Sequence, residues 1–150
     1  MQVREATAAD APVLMDLLRD LNPNDPRPEL QRFAAQVEAI GRAGHLKLFV
    51  ADSEGDVLGT CYLNVIPNLS RGLAPYALIE NVVTHHAARR RGIGKLLLGH
   101  AVEHAFEAGC YKVMLMTGRK DDAVHAFYRG CGFDGDEKHA FVCRRPSSAD

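Results

Sequence analysis

A strand-like apolar run, a basic turn with two glycines and an amphipathic run follow one another and constrain this sequence more than any other feature. The apolar run covers residues 77–84 and the amphipathic run residues 93–108. The turn consists of Arg89, Arg90, Arg91, Gly92, Ile93, Gly94 and Lys95. Amides at the start of a helix lack intrahelical partners and carry the positive end of the helix dipole, and glycines let the main chain approach an anion closely. The pattern therefore predicts a strand, a turn that binds a small polyanion, and a helix.

The glycine spacing separates this turn from two other phosphate-binding loops. A dinucleotide-binding fingerprint requires a third glycine where Leu97 stands. An ATP-binding P-loop requires four residues between its glycines and a Ser or Thr after the lysine, whereas one residue separates Gly92 from Gly94 and Leu96 follows Lys95. The remaining pattern, Arg-x-x-Gly-x-Gly after a strand, resembles the signature of the GCN5-related N-acetyltransferases (GNAT).

Three further segments carry the resemblance along nearly the whole chain. Residues 80–84 (ENVVT) precede the turn, residues 127–133 (FYRGCGF) are similar to the segment that closes the family's coenzyme A site, and residues 3–10 resemble the family's first strand and helix cap. Residues 109–113 look particularly like glucosamine-phosphate acetyltransferases. The resemblance implies an α/β fold, with a mixed, mostly antiparallel central sheet and helices on both faces.

Composition limits the classes of protein to consider. A chain of 150 residues with 47% hydrophobic content predicts one domain over residues 1–146, and residues 147–150 resemble a frayed tail. A net charge of −1 argues against a nucleic-acid partner, and no stretch approaches about 18 uncharged apolar residues, so we expect no membrane span. Cys61, Cys110, Cys131 and Cys143 form no C-x-x-C pair, which favours reduced core thiols in a cytoplasmic protein.

Hydrophobic periodicity predicts the order of the elements. Strands are expected at 3–6, 46–51, 57–65, 77–84, 113–117 and 139–143. A first helix is expected to follow the capping residues 7–10 and to end at about residue 22. Further helices are expected from 30 to about 41 or 44, at 92–108 and at 121–129. The helix at 92–108 should turn five apolar residues inward: Ile93, Leu96, Leu97, Ala101 and Ala105. The unit from 78 to 117 predicts a parallel strand pair, because a strand–helix–strand connection returns in the same direction.

The resemblance implies acetyl-CoA as co-substrate and no metal. Amides of residues 91–95 would hold the pyrophosphate, and the main chain of Val82, Val83 and Thr84 would face the pantetheine arm or the thioester carbonyl. Asp121 stands where many relatives carry a coenzyme-binding asparagine, but an ionised carboxylate cannot donate that hydrogen bond.

Two residues are candidates for proton transfer. Glu80 is a charged residue inside an apolar strand, so we expect a partly desolvated carboxylate that serves as general base for the incoming amine. Tyr128 falls at the family position whose phenol lies near the coenzyme A sulfur, which implies a general acid for the leaving thiolate. A packed aromatic residue is the competing interpretation of Tyr128.

Two alternatives to an acetyltransferase remain at this point. His100, Glu103 and His104 fit an H-x-x-E-H zinc-hydrolase pattern, although a solvated helix face is the favoured interpretation. A coenzyme A-binding sensor or structural protein without turnover is the other, because a fold does not establish an activity.

The acceptor is expected to be a small molecule with a primary amine. The loops at 22–28 and 66–77 should border it, and four cations there and elsewhere could meet a phosphate or carboxylate: Arg27, Arg71, Arg119 and Lys120. Relatives are commonly dimers, so a homodimer is expected as well.

Overall fold

The computed structural model describes residues 1–146, and the predicted tail at 147–150 lies outside them. Within the described residues, the chain forms two compact units, residues 1–115 and residues 116–146. A single domain over 1–146 stays a prediction. None of the helices within residues 1–146 combines the length and the apolar character that a bilayer crossing requires.

The described chain contains five strands and four α-helices. They are β1 (Gln2–Glu5), α1 (Ala11–Leu21), α2 (Leu30–Arg42), β2 (Leu46–Ser53), β3 (Asp56–Ile66), β4 (Tyr76–Thr84), α3 (Ile93–Glu107), β5 (Val113–Leu115) and α4 (Asp122–Gly130). The sheet order is β1-β2-β3-β4-β5, with the first four strands antiparallel and β5 parallel to β4. The predicted mixed, mostly antiparallel sheet is confirmed.

Local chemistry accounts for the tight turn and the first cap. Glu54 and Gly55 have left-handed φ values of 57° and 96°, as a two-residue hairpin requires, and the Gly55 amide donates to Asp52 Oδ1 at 2.8 Å. Before α1, the Thr7 amide donates to Asp10 Oδ2 at 2.8 Å. The hairpin turn at 54–55 and the helix cap at 7–10 were both predicted from the sequence.

Helices cover both faces of the sheet within the first unit. Successive residues of a strand point to opposite faces. Phe49 packs on α3 with its ring 4.8 Å from that of His100, whereas Val50 joins a buried cluster with α1 and α2. The buried members of that cluster are Leu14, Leu17, Val37, Val50, Val57 and Val83. We call the two surfaces the α3 face and the α1/α2 face.

The predicted inward stripe of α3 is wrong at one position. Leu96 is 42% exposed, whereas Leu98, which was not predicted to point inward, is 1% exposed. Leu96 and Leu98 lie about 100° to either side of Leu97 on the helix, and only one of these sides can face the sheet. Leu96 and Leu98 are equally apolar, so the sequence does not indicate which of them is buried. Packing of α3 against the sheet determines that it is Leu98.

The predicted last strand at 139–143 is also wrong, because these residues are not part of the sheet. Phe141 is 96% exposed and Val142 69% exposed. A β-rich sequence becomes a strand only when a neighbouring strand accepts its backbone hydrogen bonds.

The cysteines differ in their surroundings. All four have free thiols, and Cys61 and Cys110 are buried, as predicted for core residues. Cys131 is only half-buried and Cys143 is exposed, so the core interpretation is wrong for Cys143. Cys143 is the last residue of the segment 139–143, which does not join the sheet.

Candidate active site

The basic turn forms the start of α3 as the sequence predicts. Gly92 is the N-cap in a left-handed conformation (φ 79°) and has no side chain to cap the helix. The Leu96 amide donates to the Gly92 carbonyl at 3.0 Å, so the amides of residues 93–95 precede the first intrahelical bond. Arg89, Arg90, Arg91 and Lys95 are exposed. The turn thus combines unpaired amides, the helix dipole and four cations, which suits a phosphate group.

A β-bulge interrupts β4 beside the candidate coenzyme residues. Thr60 pairs with Val83 and Tyr62 with Glu80, so Asn81 and Val82 together oppose one residue of β3. Asn81 has a left-handed φ of 52°. A bulge bends the strand and leaves the extra residue out of the ladder. Its only sequence signal is an asparagine, which tolerates that conformation better than most residues.

Glu80 lies on the α1/α2 face and is half-buried. Its cross-strand neighbour is Tyr62, which is on the same face. Burial raises the pKa of the Tyr62 phenol, so that side chain stays neutral beside the carboxylate. Nothing in the sequence pattern marks Tyr62 as a site residue.

The two faces differ at the half of the sheet that contains Glu80. On the α3 face, Cys61, Leu63 and Ile79 are at most 1% exposed. On the α1/α2 face, the alternating residues of β3 and β4 are only half-buried: Tyr62, Asn64, Leu78 and Glu80. We call this half-buried group of four side chains the acceptor floor.

Gly59 allows the first turns of α3 to lie on the sheet. A Cβ at this position would stand 2.9 Å from the Val83 carbonyl oxygen, 3.1 Å from Leu97 Cδ1 and 3.2 Å from Ile93 Cγ2. Distances this short require a neighbour to move, and the nearest neighbour is backbone. Gly59 therefore positions the phosphate-binding turn against β4, although one glycine in a strand gave no such signal in the sequence.

The loop between β3 and β4 joins the strands at the end of the acceptor floor. Three consecutive residues, Arg71, Gly72 and Leu73, have left-handed φ values of 54°, 66° and 67°. The Asn68 amide nitrogen donates to the carbonyls of Ser70 and Ala74, both at 3.2 Å. These bonds hold an unusual turn in place.

Three of the four cations considered for the acceptor have partners in the protein. Arg27 pairs with Asp16 at 3.2 Å, Arg119 pairs with Asp121 at 3.1 Å, and the Arg71 guanidinium lies 5.7 Å from the centre of the Tyr111 ring. These are exposed contacts, so they contribute little energy and leave the cations accessible.

In the second unit, Asp121 is the N-cap of α4. Its Oδ1 accepts from the Val124 amide at 3.1 Å, and its Oδ2 accepts from Arg119 Nε at 3.1 Å. The carboxylate thus satisfies a helix amide and a cation of its own unit. A coenzyme contact by Asp121 stays a prediction.

Tyr128 belongs to a Schellman motif that ends α4. The Phe133 amide donates to the Tyr128 carbonyl at 3.1 Å, the Gly132 amide donates to the Arg129 carbonyl at 2.9 Å, and Gly132 has a left-handed φ of 92°. The Tyr128 ring lies 5.2 Å from that of Phe127 and 6.5 Å from that of Phe133. Gly132 and Phe133 of the FYRGCGF segment therefore fix the C-terminal end of α4, the helix that contains Tyr128.

Comparison with known proteins identifies the family. The family model described as the acetyltransferase (GNAT) family matches residues 12–133. The chain belongs to the acetyltransferase (GNAT) family. Glucosamine 6-phosphate N-acetyltransferase 1 of Oryza sativa subsp. japonica is 33% identical over 122 residues, which are 79% of this chain and 72% of the rice protein.

Two further GNAT relatives cover almost the whole chain. An aminoglycoside N(6′)-acetyltransferase type 1 of Stenotrophomonas maltophilia is 27% identical over 91% of this chain and 88% of its own. A solved structure from Agrobacterium tumefaciens str. C58, described as an acetyltransferase, is 46% identical and superposes with a TM-score of 0.91 over 97% of this chain and all of that chain (100%). The protein is an N-acetyltransferase that uses acetyl-CoA.

The histidines of α3 have a structural role in this GNAT fold. The rings of His100 and His104 lie edge-on to Phe49, with centroids at 4.8 and 5.5 Å. Both are half-buried, so the predicted solvated face applies only to Glu103. Within residues 1–146, no group of three or more His, Cys, Asp or Glu side chains is arranged to hold a metal ion. The zinc-hydrolase alternative therefore lacks a ligand set in the described chain.

Proposed function

We propose that this GNAT protein acetylates the primary amine of a small acceptor that binds on the acceptor floor, with Glu80 as general base. The observation that carries the proposal is the half-buried Glu80 carboxylate on the open half of the sheet, beside the bulge in β4. The small size of the acceptor is supported by the rice and Stenotrophomonas relatives, which are named for glucosamine 6-phosphate and aminoglycosides.

The turn before α3 suits the pyrophosphate of coenzyme A. The amides of residues 93–95 point out of the helix start, and Gly92 leaves the approach to them open. Four cations add positive charge that attracts the negatively charged phosphates: Arg89, Arg90, Arg91 and Lys95. On the family resemblance, the main chain of Val82, Val83 and Thr84 receives the pantetheine arm.

Acetyl-CoA supplies the acetyl group as an activated thioester. As the amine nitrogen bonds to the acetyl carbon, Glu80 accepts the proton that the nitrogen releases and later passes it to solvent. The carbon–sulfur bond breaks, and the family resemblance assigns to Tyr128 the phenolic proton that the departing sulfur takes up. The products are an N-acetyl amide and coenzyme A, and the phenol regains its proton from water.

Ligand-dependent unfolding followed by a turnover assay tests the proposal. A ligand that binds only the folded protein stabilises it by about 2.7 kcal/mol at 100 times its Kd, so acetyl-CoA should raise the melting temperature, while ATP and zinc should not. Release of the coenzyme A thiol should then depend on an added amine such as glucosamine 6-phosphate. Acetyl-CoA binding without turnover on any of a broad set of amines would indicate a sensor instead.

Substitution of Tyr128 tests the general acid separately. Tyr128→Phe keeps the ring that packs on Phe127 and Phe133 and removes only the hydroxyl. We expect kcat to fall roughly 100-fold, with acetyl-CoA binding unchanged. An unaltered kcat would assign Tyr128 to packing alone.

We further propose that the protein is cytoplasmic and forms a homodimer. Four free thiols support a reducing compartment, and the adjacent exposed side chains of Phe141 and Val142 support an apolar contact with a second copy. Sedimentation velocity should give a dimer that Phe141→Ser weakens, and a monomer at micromolar concentration would contradict the dimer. Recovery from a membrane or exported fraction would contradict the cytoplasmic location.

A further inference from the structure

Glu80 carries a carboxylate that no cation of the described chain neutralises. Within residues 1–146, the side-chain carboxylates that are buried or half-buried belong to Asp10, Asp52 and Glu80. Arg4 pairs with both aspartates at 2.8 Å. The Glu80 side chain has no ion pair and no hydrogen bond with the described residues. A charge that is partly withdrawn from water is unfavourable without compensation, so Glu80 suits a cation that arrives with a ligand.

Tyr62 lies directly opposite Glu80 on the same face of the sheet. The register pairs the two residues across β3 and β4, so their Cβ atoms are about 4.5–5.5 Å apart. Both side chains are half-buried and therefore partly accessible to a ligand. An aromatic ring and a carboxylate at this separation can contact one small cation between them.

The other aromatic residues of the strands show what distinguishes Tyr62. The Phe49 ring contacts the His100 ring at 4.8 Å, and Lys112 Nζ lies 5.7 Å from the centre of the Tyr76 ring. Within residues 1–146, the Tyr62 ring contacts neither another aromatic ring nor a cation. The face of an aromatic ring attracts cations, most strongly where water is partly excluded. The carboxylate and the ring that lack such partners are therefore cross-strand neighbours.

We propose that Tyr62 and Glu80 together bind the amino group of the acceptor as an ammonium ion, with the Tyr62 ring as a specificity-determining contact. The inference rests on the proposed function and adds a class of ligand to it. Quaternary ammonium ions carry the same charge but have no proton to lose, so they bind this site without being acetylated on nitrogen. A bound primary ammonium becomes a nucleophile when it loses a proton to solvent, and the transfer then proceeds as proposed above.

Two compounds of equal shape and different charge test the inference. Choline carries a trimethylammonium group, and 3,3-dimethylbutanol carries the neutral tert-butyl group in its place. NMR titration of the methyl signals of each compound with the wild-type protein, without acetyl-CoA, gives the two affinities. We expect choline to bind at least about tenfold more tightly, because the carboxylate and the ring both favour the cation. Equal affinities, or binding of neither compound, would overturn the inference.

Substitutions of Tyr62 separate the ring from the hydroxyl. Tyr62→Phe keeps the ring and should retain the choline affinity within about twofold. Tyr62→Leu removes the ring and should weaken choline binding about 3- to 30-fold. In turnover, Tyr62→Leu should raise KM for the amine by a similar factor and leave kcat within about twofold, since the contact is made before the chemical step. Equal losses of choline affinity in the two variants would contradict a role of the ring.

Two further variants control for folding and for location. Phe106→Leu removes an exposed aromatic side chain of α3 and should leave choline affinity and KM unchanged. Glu80→Gln keeps the shape of the side chain and should weaken choline binding at least about tenfold, with no change for 3,3-dimethylbutanol. This comparison holds even if Tyr62→Leu unfolds, which its melting curve shows. An unaltered choline affinity in Glu80→Gln would place the cation elsewhere and overturn the inference.

The same variants separate failure of this inference from failure of the proposed function. If amines are acetylated with dependence on Glu80, but choline binds no better than 3,3-dimethylbutanol, only the cation contact with Tyr62 is wrong. If Glu80→Gln retains full activity, the proposed function fails. Choline binding that Tyr62→Leu weakens would in that case still support an ammonium site at Tyr62.

Discussion

The two faces of the sheet use the same strands for different purposes. On the α3 face, five side chains of β2, β3 and β4 are at most 2% exposed: Phe49, Cys61, Leu63, Ala77 and Ile79. On the α1/α2 face, Val50 and Thr60 are completely buried, but Tyr62, Asn64 and Glu80 are only half-buried. The difference is one of coverage, because α1 and α2 pack on only part of their face.

This contrast separates packing from chemistry within a single strand. From Thr60 to Asn64 of β3, the odd-numbered side chains lie on the α3 face and the even-numbered ones on the α1/α2 face, because alternate side chains point to opposite faces. Substitutions on the α3 face should therefore change stability first, and substitutions on the acceptor floor should change turnover first. Four experiments test this division.

The largest effect is expected at Glu80. Glu80→Gln keeps the shape of the side chain and removes its ability to accept a proton near neutral pH. We expect kcat/KM for the amine to fall about 10²- to 10⁴-fold, with the melting temperature and acetyl-CoA binding nearly unchanged. The measurement is steady-state release of the coenzyme A thiol.

A glutamate outside the site provides the control for Glu80. Glu103 is exposed on α3, so Glu103→Gln should leave kcat/KM unchanged. Equal activity of the two variants would show that another group takes the proton, and the acceptor floor would lose its chemical role.

The next largest effect is expected at Cys61, because burial on the α3 face protects its thiol from alkylation. Burial raises the pKa of Cys61 to about 12, so at pH 8 only about one molecule in 10⁴ carries the reactive thiolate. Cys143 is exposed and should react with iodoacetamide at least about 1000-fold faster, as measured by mass spectrometry of labelled peptides. The Cys143→Ser variant shows how much labelling comes from the other three thiols. Labelling of native Cys61 at a rate near that of Cys143 would mean that the α3 face opens readily.

A smaller effect is expected from adding a methyl group at Gly59, where β3 and α3 are in close contact. Gly59→Ala places a methyl group 2.9 Å from the Val83 carbonyl oxygen, so we expect a loss of about 1–3 kcal/mol in the free energy of unfolding, with weaker acetyl-CoA binding because the turn before α3 shifts. Urea unfolding measures the first quantity and calorimetric titration the second. Gly99→Ala is the control, since a Cβ there meets nothing within 4 Å in an exposed part of α3 and should raise stability slightly. If both variants behave alike, Gly59 does not position the helix.

The smallest effect concerns an ion cluster at the covered end of the α1/α2 face. Arg4 bonds Asp10 and Asp52 at 2.8 Å each and lowers the pKa of Asp10, while the Gly55 amide and then Arg4 lower the pKa of Asp52. A carboxyl group whose pKa is lowered by folding stabilises the native state above its unfolded pKa of 3.8, and this contribution disappears as the pH falls through the lower folded value.

The acid response of a variant without the arginine tests this cluster. Arg4→Met should melt lower than the wild type at pH 7, and the difference should shrink below about pH 4, where the wild type loses the contribution. Melting curves at pH 7 and pH 3 measure both effects. A constant difference between the two pH values would show that Arg4 stabilises the fold by packing rather than by charge.

Much of this architecture was predictable because local patterns agreed with one another. Hairpin residues at 54–55, capping residues at 7–10 and the glycine turn at 92 each specify a backbone conformation that few other residues adopt. Leu96, Leu98 and the segment 139–143 were mispredicted for one common reason. Apolar character shows that a residue can be buried or paired, but the neighbour that buries or pairs it is distant in the sequence.

The residues of the candidate site likewise divide into those that the sequence predicted and those that it did not. The sequence predicted the coenzyme turn and Glu80, since a charged residue inside an apolar strand and glycines in a basic turn are unusual at the level of neighbouring residues. Tyr62, Asn64 and Gly59 were missed, because an ordinary strand contains such residues without any function. Their roles depend on register with β4 and on the approach of α3.

The sequence by itself determined the order of the elements from β1 to α4, the family, and the turn that suits a phosphate, because these features are written in contiguous residues and local backbone preferences. Only the tertiary structure decided which sheet face stays open, where β4 bulges, and which carboxylate on the acceptor floor has no described cationic partner. Those properties arise from strand register and helix coverage, which join residues far apart in the chain.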